Sequence, residues 1–320
     1  MISRKATATI SQVAEILSTR KSIALFAHTN PDGDTVGSCV ALCLALKKLG
    51  KGVSLFCDTE FDKTLSSFTQ GENFNRTFSG KYDLLVAVDC GDLNRVGEFG
   101  NTYSKFAETL TIDHHGGEYY SKYNCVLPYA STCQIIYEIL NELHVELNEP
   151  IATSLFVGLC TDTGNFMHNS TDSACYKMAS ELCKYGVDNE RVARAFFKDV
   201  TLSETKLLAR VLSRLRTYYD DKMVLLYVTK RDLEEFGLNF SATSRLVQYA
   251  INVETAKIGV CMTEYSPNAY KVSMRGKDFS VREICQEFGG GGHVYASACM
   301  ISGFLEDVIE KIVRVVGFTI

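Results

Sequence analysis

The sequence has no hydrophobic run long enough to cross a membrane. Its longest purely apolar stretch, residues 39–46, is far shorter than the roughly 20 residues that a spanning helix needs. The N-terminal segment lacks the apolar core of a signal peptide, and the spacing of Ile10, Val13 and Leu17 fits an amphipathic helix better than a targeting segment. We therefore expect a cytoplasmic protein without a membrane partner.

A C-x-x-C motif is also missing, although the chain has 12 cysteines. Most of these cysteines lie inside apolar runs, as do Cys39, Cys43, Cys160 and Cys261. A chain of 320 residues does not need disulfides to be stable. A disulfide framework and a structural zinc site are therefore disfavoured, and we expect buried free thiols.

An excess of positive charge is absent as well, because 33 Lys and Arg face 38 Asp and Glu, for a net charge of −5. A protein that follows long duplex nucleic acid through a general positive field is therefore disfavoured. An anionic partner should be small or bound locally. With 46% hydrophobic and 22% charged residues, the chain has the composition of a globular protein large enough for two domains.

The first 190 residues alternate strand-like and helix-like segments, which predicts an α/β fold with a mainly parallel sheet. Strands are predicted at 23–27, 53–57, 84–88 and 110–112. Helices are predicted at 36–49, 132–143, 149–160 and 173–185, followed by a helix that Asp188 caps and that ends at Phe197.

A mixed-charge helix at 203–217 leads into a second, smaller α/β block. Strands are predicted there at 223–228, 258–263 and 269–274. A glycine run at 289–292 precedes His293 and a segment of small residues that we predict to be helical, and a closing helix is predicted at 305–316.

Aspartate and histidine side chains recur where the predicted elements of the first block end. The loop after the first strand, the ends of the strands at 84–88 and 110–112, and the end of the helix from 149 each carry them. Loops at the carboxyl ends of parallel strands converge on one crevice, so we expect these side chains to lie together. The set is His28, Asp32, Asp34, Asp89, Asp113, His114, His115 and Asp162.

Oxygen and imidazole ligands without a thiolate suit Mn²⁺ or Mg²⁺, with Fe²⁺ or Co²⁺ as alternatives. Clustered carboxylates repel each other unless they are neutralised, and two divalent cations would neutralise them. A pair of ions can also share a bridging hydroxide and stabilise the in-line displacement at a phosphate. Taken singly, 32–34 could be a solvated turn and Asp113 a helix cap, but four such segments in this order favour a metal site.

These motifs resemble those of the DHH phosphoesterase family, which is named for the tripeptide that is Asp113-His114-His115 here. The segment 28–34, Asp89 and the segment 158–164 resemble the family's other N-terminal motifs. The segment 288–297 resembles the glycine-rich signature of the DHH-associated C-terminal domain, so the resemblance covers residues 22–302.

The resemblance implies a DHH catalytic domain at 1–200, a linker helix at 201–222 and a substrate-binding domain at 223–320, with the active site in the cleft between the domains. It further implies two ligand sets that share Asp89. One set is His28, Asp32 and Asp89, and the other is Asp34, Asp89, His114 and Asp162.

The resemblance also implies roles for the residues that contact substrate. His115 would contact the scissile phosphate or the leaving oxygen, and Asp113 would fix the imidazole or the loop. In the second domain, the phosphate would be held by Arg275 and His293 and by the backbone of Gly290, Gly291 and Gly292. Taken alone, the glycine run could be a hinge and Arg275 a surface ion-pair partner.

Within the family, the chain is similar to the nano-RNase subgroup. This similarity implies a manganese-dependent enzyme that cleaves oligonucleotides of about two to five nucleotides to 5′-mononucleotides and removes the 3′-phosphate of 3′-phosphoadenosine 5′-phosphate. The alternatives are a phosphodiesterase for cyclic dinucleotides or their linear products, a pyrophosphatase, and a nucleotide-binding protein without turnover. The oligomeric state is left open, a homodimer included.

Three positions depart from the family pattern. The segment Gly116-Gly117-Glu118 stands where relatives commonly carry Asn, which puts in doubt the contacts to the leaving group and the residues that support the metal ligands. Ala298 replaces a glycine at the end of the glycine-rich signature, and Arg245 occupies a segment that more often reads acidic residue then glycine. Arg245 is either an added substrate contact or an exposed side chain.

Overall fold

The computed structural model describes residues 6–117 and 119–319. These residues divide into two compact units on either side of the Asp199–Val200 bond. Each unit has its own sheet and its own apolar core. Within the described residues, none of the helices combines the length and the apolar character that a membrane span requires.

The first unit is built on a sheet whose strands are all parallel, as the sequence predicts. In the described part of the chain the sheet has seven strands, in the order β1-β7-β6-β5-β2-β3-β4. The strands are β1 Ala6–Thr7, β2 Ser22–Phe26, β3 Gly52–Phe56, β4 Phe74–Asn75, β5 Leu84–Val88, β6 Thr109–Asp113 and β7 Tyr123–Val126.

Helices pack on both faces of this sheet. They are α1 Ile10–Thr19, α2 Gly33–Lys48, α3 Lys63–Ser66, α4 Gly100–Lys105, α5 Thr132–Glu142, α6 Glu149–Asp162, α7 Ser173–Cys183 and α8 Asn189–Ala193. A 3₁₀ helix, Leu93–Phe99, and a π-helical turn, Arg194–Lys198, complete the unit. Asp188 caps α8 by accepting from the Arg191 amide, which confirms the predicted helix start.

Helix α2 begins at Gly33, and the prediction that it starts at Val36 is wrong. The side chain of Asp32 accepts hydrogen bonds from the amides of Asp34 and Thr35, so it caps a helix that starts within the Asp-Gly-Asp segment. Helix α6 likewise continues to Asp162, and strand β6 includes Asp113. Three predicted site residues are therefore part of regular elements rather than of loops.

Helices α2 and α6 approach each other closely at two glycines. A Cβ atom on Gly37 would lie 2.4 Å from the carbonyl oxygen of Ser154. A Cβ atom on Gly158 would lie 2.3 Å from Cys133 Sγ and 2.4 Å from Asp34 Oδ1. These contacts leave no room for a side chain, so the two glycines allow the helices to bring Asp34 towards the end of α6.

The second unit has a mixed sheet. In the described residues its strand order is β12-β13-β11-β10-β9-β8, with β9 and β10 parallel and the other neighbours antiparallel. The strands are β8 Arg216–Tyr218, β9 Met223–Val228, β10 Ile258–Ser266, β11 Ala269–Gly276, β12 Gly291–His293 and β13 Ala296–Ser302.

Two sets of helices pack on this sheet. Helices α12 Arg282–Glu287 and α13 Leu305–Gly317 cover one face. The opposite face of β9 and β10 is covered by α9 Leu202–Leu212, α10 Lys230–Phe236 and α11 Leu246–Ile251, with a 3₁₀ turn at Phe240–Thr243.

Two helical predictions in this unit are wrong. The helix expected at 203–217 ends at Leu212, and Arg216–Tyr218 instead pairs with β9, so part of the expected linker helix is a strand of the second sheet. The small-residue segment after His293 is strand β13. It lies between β11 and β12, and the hydrogen bonds to both neighbours favour the extended conformation.

Candidate active site

The predicted site residues converge at one edge of the first sheet. Strands β6, β5 and β2 are neighbours, and their carboxyl ends carry Asp113-His114-His115, Asp89 and His28. Helix α2 adds Asp32 and Asp34 at its start, and α6 adds Asp162 at its end. The parallel topology therefore explains why residues far apart in sequence meet here.

The six predicted metal ligands form two groups around Asp89. Asp89 Oδ2 lies 3.6 Å from His28 Nε2, which is 3.8 Å from Asp32 Oδ2. On the other side, Asp89 Oδ1 lies 3.7 Å from His114 Nε2. The same nitrogen is 3.1 Å from Asp162 Oδ2 and 4.0 Å from Asp34 Oδ2. Asp89 therefore faces both groups, one oxygen to each.

Backbone carbonyls fix the orientation of both histidines. His28 Nδ1 donates to the Thr29 carbonyl at 2.8 Å, and His114 Nδ1 donates to the Tyr129 carbonyl at 3.1 Å. Since a carbonyl only accepts, Nδ1 carries a proton in both rings, which leaves Nε2 as the nitrogen that can offer a lone pair to a cation. Both Nε2 atoms are buried, and among the described residues neither has a hydrogen-bond partner. A cation between each lone pair and the carboxylates would satisfy them.

The pKa shifts of the clustered carboxyl groups also favour a bound cation. Burial raises the pKa of Asp34 well above its usual value, and the charges of Asp162 and Asp89 raise it further. Burial also raises the pKa of Asp162. The carboxyl groups thus resist simultaneous ionisation unless positive charge is supplied. Three groups within the described residues, each with ligand atoms within 4.8 Å of one another, could hold a metal ion, and the donor set suits a hard divalent cation.

Threonines that the sequence analysis did not single out hold the central carboxylate. Thr35 Oγ1 lies 2.5 Å from Asp89 Oδ2, and Thr132 Oγ1 donates to Asp89 Oδ1 at 2.9 Å. Asp34 is held by backbone amides at the start of α5, from Thr132 at 2.7 Å and Cys133 at 3.0 Å. Ser131 and Thr132 at the start of a predicted helix indicate only a helix cap, so the contact of Thr132 with the site is seen only in the folded structure.

Thr132→Val should weaken metal binding without unfolding the protein. Valine keeps the shape of threonine but leaves Asp89 Oδ1 without its hydroxyl donor, and the loss of such a supporting contact typically costs about 10- to 100-fold in metal affinity. Titration with Mn²⁺ followed by electron paramagnetic resonance measures the change. Thr132→Ser should restore affinity, whereas Thr205→Val on the exposed surface of α9 is the control. An unchanged affinity in Thr132→Val would contradict this role.

Asp113 lies beside the ligand groups and orients His115. Asp113 Oδ1 accepts from the His115 amide at 2.7 Å and from His115 Nδ1 at 2.9 Å. These bonds and the contact with Asp89 raise the pKa of His115 to about 10. The carboxylate is buried, whereas the His115 side chain is 40% exposed. The ring is therefore held through Nδ1, and Nε2 is the nitrogen left to meet a substrate.

The segment after His115 is tightly packed at Gly117. A Cβ atom there would lie 2.2 Å from the Gly91 carbonyl oxygen. Glu118, the departure from the family pattern in this segment, lies outside the described residues.

The substrate-binding residues predicted in the second unit lie together at the β11–β13–β12 side of its sheet. Arg275 pairs with Ala296, and Ala296 also pairs with His293. The glycine run forms a turn and edge strand β12, in which Gly291 and Gly292 are exposed. Ala298, the departure from glycine, pairs with Gly291 and Ser273. Arg245 immediately precedes α11.

Comparison with known proteins agrees with this architecture. Residues 22–159 match the model of the DHH family, N-terminal domain, and residues 201–317 match that of the DHHA1 domain. A Bacteroides fragilis crystal structure described as an exopolyphosphatase-related protein superposes with a TM-score of 0.88 at 22% identity, over 97% of this chain and 95% of that one.

Two relatives of similar length share a name. The bifunctional oligoribonuclease and PAP phosphatase NrnA of Thermus thermophilus is 30% identical over 95% of this chain and 92% of its own length. The Bacillus subtilis protein of the same name is 24% identical over 91% of this chain and 93% of its own length. The resemblance expected from the sequence motifs is confirmed, and this chain belongs to the DHH family.

Proposed function

We propose that this chain is a metal-dependent phosphoesterase that hydrolyses short oligonucleotides to 5′-mononucleotides and removes the 3′-phosphate of 3′-phosphoadenosine 5′-phosphate. The observation that carries the proposal is the pair of buried imidazole nitrogens, on His28 and His114, that face clustered carboxylates without a hydrogen-bond partner among the described residues. The names of the full-length relatives support the substrate class.

The ligands divide into two sets that share Asp89. His28, Asp32 and Asp89 would hold one divalent cation, and the second would be held by Asp34, Asp89, His114 and Asp162. We propose Mn²⁺ as the ion, because its oxygen and imidazole preferences match this set. Bound divalent cations supply Lewis acidity towards phosphate oxygens and make water a nucleophile at neutral pH.

The protein's own side chains position the phosphate. His115, oriented by Asp113 through Nδ1, would donate from Nε2 to the scissile phosphate or to the leaving 3′ oxygen. Arg275 would grip a phosphate through two parallel hydrogen bonds. The backbone of the glycine run, Gly290 to Gly292, of which Gly291 and Gly292 are exposed, and the His293 side chain would approach the same phosphate.

We also propose that the enzyme works in the cytoplasm. All 12 cysteines are free, and all except Cys183 are buried. Free thiols in this number fit a reducing compartment better than an oxidising one.

A turnover panel tests the proposal. Purified protein with Mn²⁺ is offered a 5′-phosphorylated linear diribonucleotide, 3′-phosphoadenosine 5′-phosphate, a cyclic dinucleotide and pyrophosphate, each with a chelator-treated sample as the blank. We expect fast release of mononucleotide from the linear dinucleotide and of phosphate from the second substrate. Preference for the cyclic dinucleotide or pyrophosphate would refute the proposed substrate class. Binding of dinucleotide without any turnover would identify a nucleotide-binding protein instead.

A further inference from the structure

Two segments that carry site residues lie against each other at the carboxyl ends of β5 and β6. The two strands are paired, and the Asp89 amide donates to a carbonyl of β6 at 2.9 Å. Beyond the strands, a Cβ atom on Gly117 would overlap the Gly91 carbonyl oxygen, and one on Gly91 would lie 3.5 Å from His115 Cβ. The segment that carries His115 therefore rests on residues 89–91, which we call the supporting turn.

A phenol joins the supporting turn to the segment that follows His115. Tyr120 Oη donates to the Cys90 carbonyl oxygen at 2.7 Å. Burial raises the pKa of this phenol well above its usual value, so the hydroxyl keeps its proton. Cys90 is buried, and its thiol donates to the Val88 carbonyl oxygen at 3.4 Å. The hydroxyl thus connects the loop that leaves β6 to a fixed part of the loop that leaves β5.

The backbone from which Tyr120 projects is firmly held. Ser121, the next residue, is 1% exposed, and its hydroxyl lies 2.6 Å from Thr111 Oγ1 and 2.8 Å from Tyr103 Oη. Tyr103 donates to the Leu110 carbonyl oxygen at 2.6 Å, so Ser121 is connected to β6 through buried groups. The Tyr120 ring packs on that of Tyr103, with the ring centres 5.9 Å apart. Support of this kind can keep a hydroxyl in one place.

The residues that directly follow His115 are two exposed glycines, Gly116 and Gly117. Glycine allows the backbone more conformations than any other residue. The chain also departs from the family pattern in this segment, because relatives commonly carry Asn there. The hydrogen bond of Tyr120, which comes after the glycines, limits the freedom of the segment.

We propose that Tyr120 is a positioning residue for the hydrolysis, because its phenol keeps the His115 segment in place beside Asp89. Asp113 orients the imidazole within its own segment. The 3.5 Å between His115 Nδ1 and Asp89 Oδ1 depends in addition on how the two segments lie together. Tyr120 acts through the backbone of Cys90, since that carbonyl accepts from its hydroxyl. This inference deepens the proposed function and rests on it.

Deleting the hydroxyl tests this role. Tyr120→Phe keeps the ring and its packing on Tyr103. It should lower kcat for a 5′-phosphorylated dinucleotide by about 10- to 100-fold, because a misplacement of about 1 Å in a reacting group has an effect of that size. KM should stay within about twofold of wild type, since the residues proposed to bind the substrate are unchanged. An unchanged kcat would overturn the proposal.

The matched control is Tyr82→Phe. Tyr82 packs on the same apolar cluster as Tyr120, and its hydroxyl donates to the Ser79 carbonyl oxygen at 2.8 Å. It precedes β5, so it lies at the amino end of the strand whose carboxyl end leads to Asp89. This variant should keep the wild-type kcat. Equal losses of kcat in the two variants would refute the positioning role, because they would indicate a general effect of losing a phenol hydroxyl.

A double-mutant cycle with His115 separates positioning from a general loss of structure. If Tyr120 acts through His115, Tyr120→Phe should change kcat by less than about threefold when His115 is already alanine. A general structural effect would instead lower the residual turnover of His115→Ala by the same factor as that of wild type. That additive result would overturn the proposal.

Hydrogen exchange separates failure of this inference from failure of the proposed function, because it needs no turnover. The His115 amide donates to Asp113 Oδ1 at 2.7 Å, so its exchange reports how well the segment is held. In the full-length protein, exchange at residues 115–117 should be about tenfold faster in Tyr120→Phe than in wild type and Tyr82→Phe. This result would support the role of Tyr120 even if no oligonucleotide were hydrolysed. Equal exchange in the three proteins would contradict it even if the dinucleotide were hydrolysed.

Discussion

Asp89→Asn is expected to lower turnover of a linear dinucleotide by about 10³-fold or more while the protein keeps its fold. Asp89 lies between both ligand groups, so its loss weakens both ion sites, and a bound ion supplies several kcal/mol of stabilisation to the reaction. Asparagine suits the position because Asp89 has φ +61, a left-handed conformation that Asn tolerates. The hydroxyls of Thr35 and Thr132 can donate to or accept from the amide.

The same variant should be at least as stable as wild type in chelator. The charge of Asp89 raises the pKa of the buried Asp34 carboxyl, so removing that charge relieves repulsion in the metal-free protein. Added Mn²⁺ should raise the thermal midpoint of wild type and have little effect on the variant. Thermal unfolding with and without Mn²⁺ measures both effects.

Asp220→Asn is the matched control, because Asp220 is exposed and also has a left-handed backbone, with φ +53. It should keep wild-type turnover and the wild-type response to Mn²⁺. If Asp89→Asn kept normal turnover after chelation and reconstitution with Mn²⁺, the shared-ligand assignment would be wrong.

Gly158→Ala is expected to lower both stability and metal affinity. The new Cβ would meet Cys133 Sγ and Asp34 Oδ1, which are themselves fixed in the buried contact between α2, α5 and α6. Overpacking of this kind typically costs about 1–3 kcal/mol in the free energy of unfolding. Displacing the Asp34 carboxylate from the Cys133 amide should also raise the Kd for Mn²⁺ by about tenfold or more.

Urea unfolding in chelator and Mn²⁺ titration measure the two effects separately. The control is Gly52→Ala, where a Cβ would be 3.6 Å from the Lys21 carbonyl oxygen, an ordinary contact, in an exposed position at the start of β3. The control should leave both quantities near their wild-type values. A Gly158→Ala protein with wild-type stability would refute the proposed tightness of this helix contact.

The buried parallel strands could be read from the sequence because each is a short apolar run that ends at a polar residue. Leu84–Val88 is a strand with the predicted bounds, and its end places Asp89 at the sheet edge. The short strands Ala6–Thr7 and Tyr123–Val126 were not predicted. They are only two and four residues long, and their extended conformation depends on pairing with neighbouring strands.

The residues that converge at the candidate site were predictable from the sequence, but their supporting contacts were not. Aspartate and histidine carry their chemistry in the side chain, and their order along the chain matches the family motifs. The orientation of His28 and His114 depends on the carbonyl groups of Thr29 and Tyr129, which any residue type would supply. Every residue type offers the same backbone carbonyl, so contacts made by the backbone cannot be predicted from the sequence. They are seen only in the folded structure.

Anomalous diffraction from crystals grown with Mn²⁺ would locate the bound ions. We expect two manganese peaks, one beside His28 and Asp32 and one beside His114 and Asp162, with Asp89 in contact with both. Crystals of Asp89→Asn should lose at least one of the two peaks. A single peak away from Asp89, or no peak at this edge of the sheet at saturating Mn²⁺, would contradict a shared-ligand metal centre.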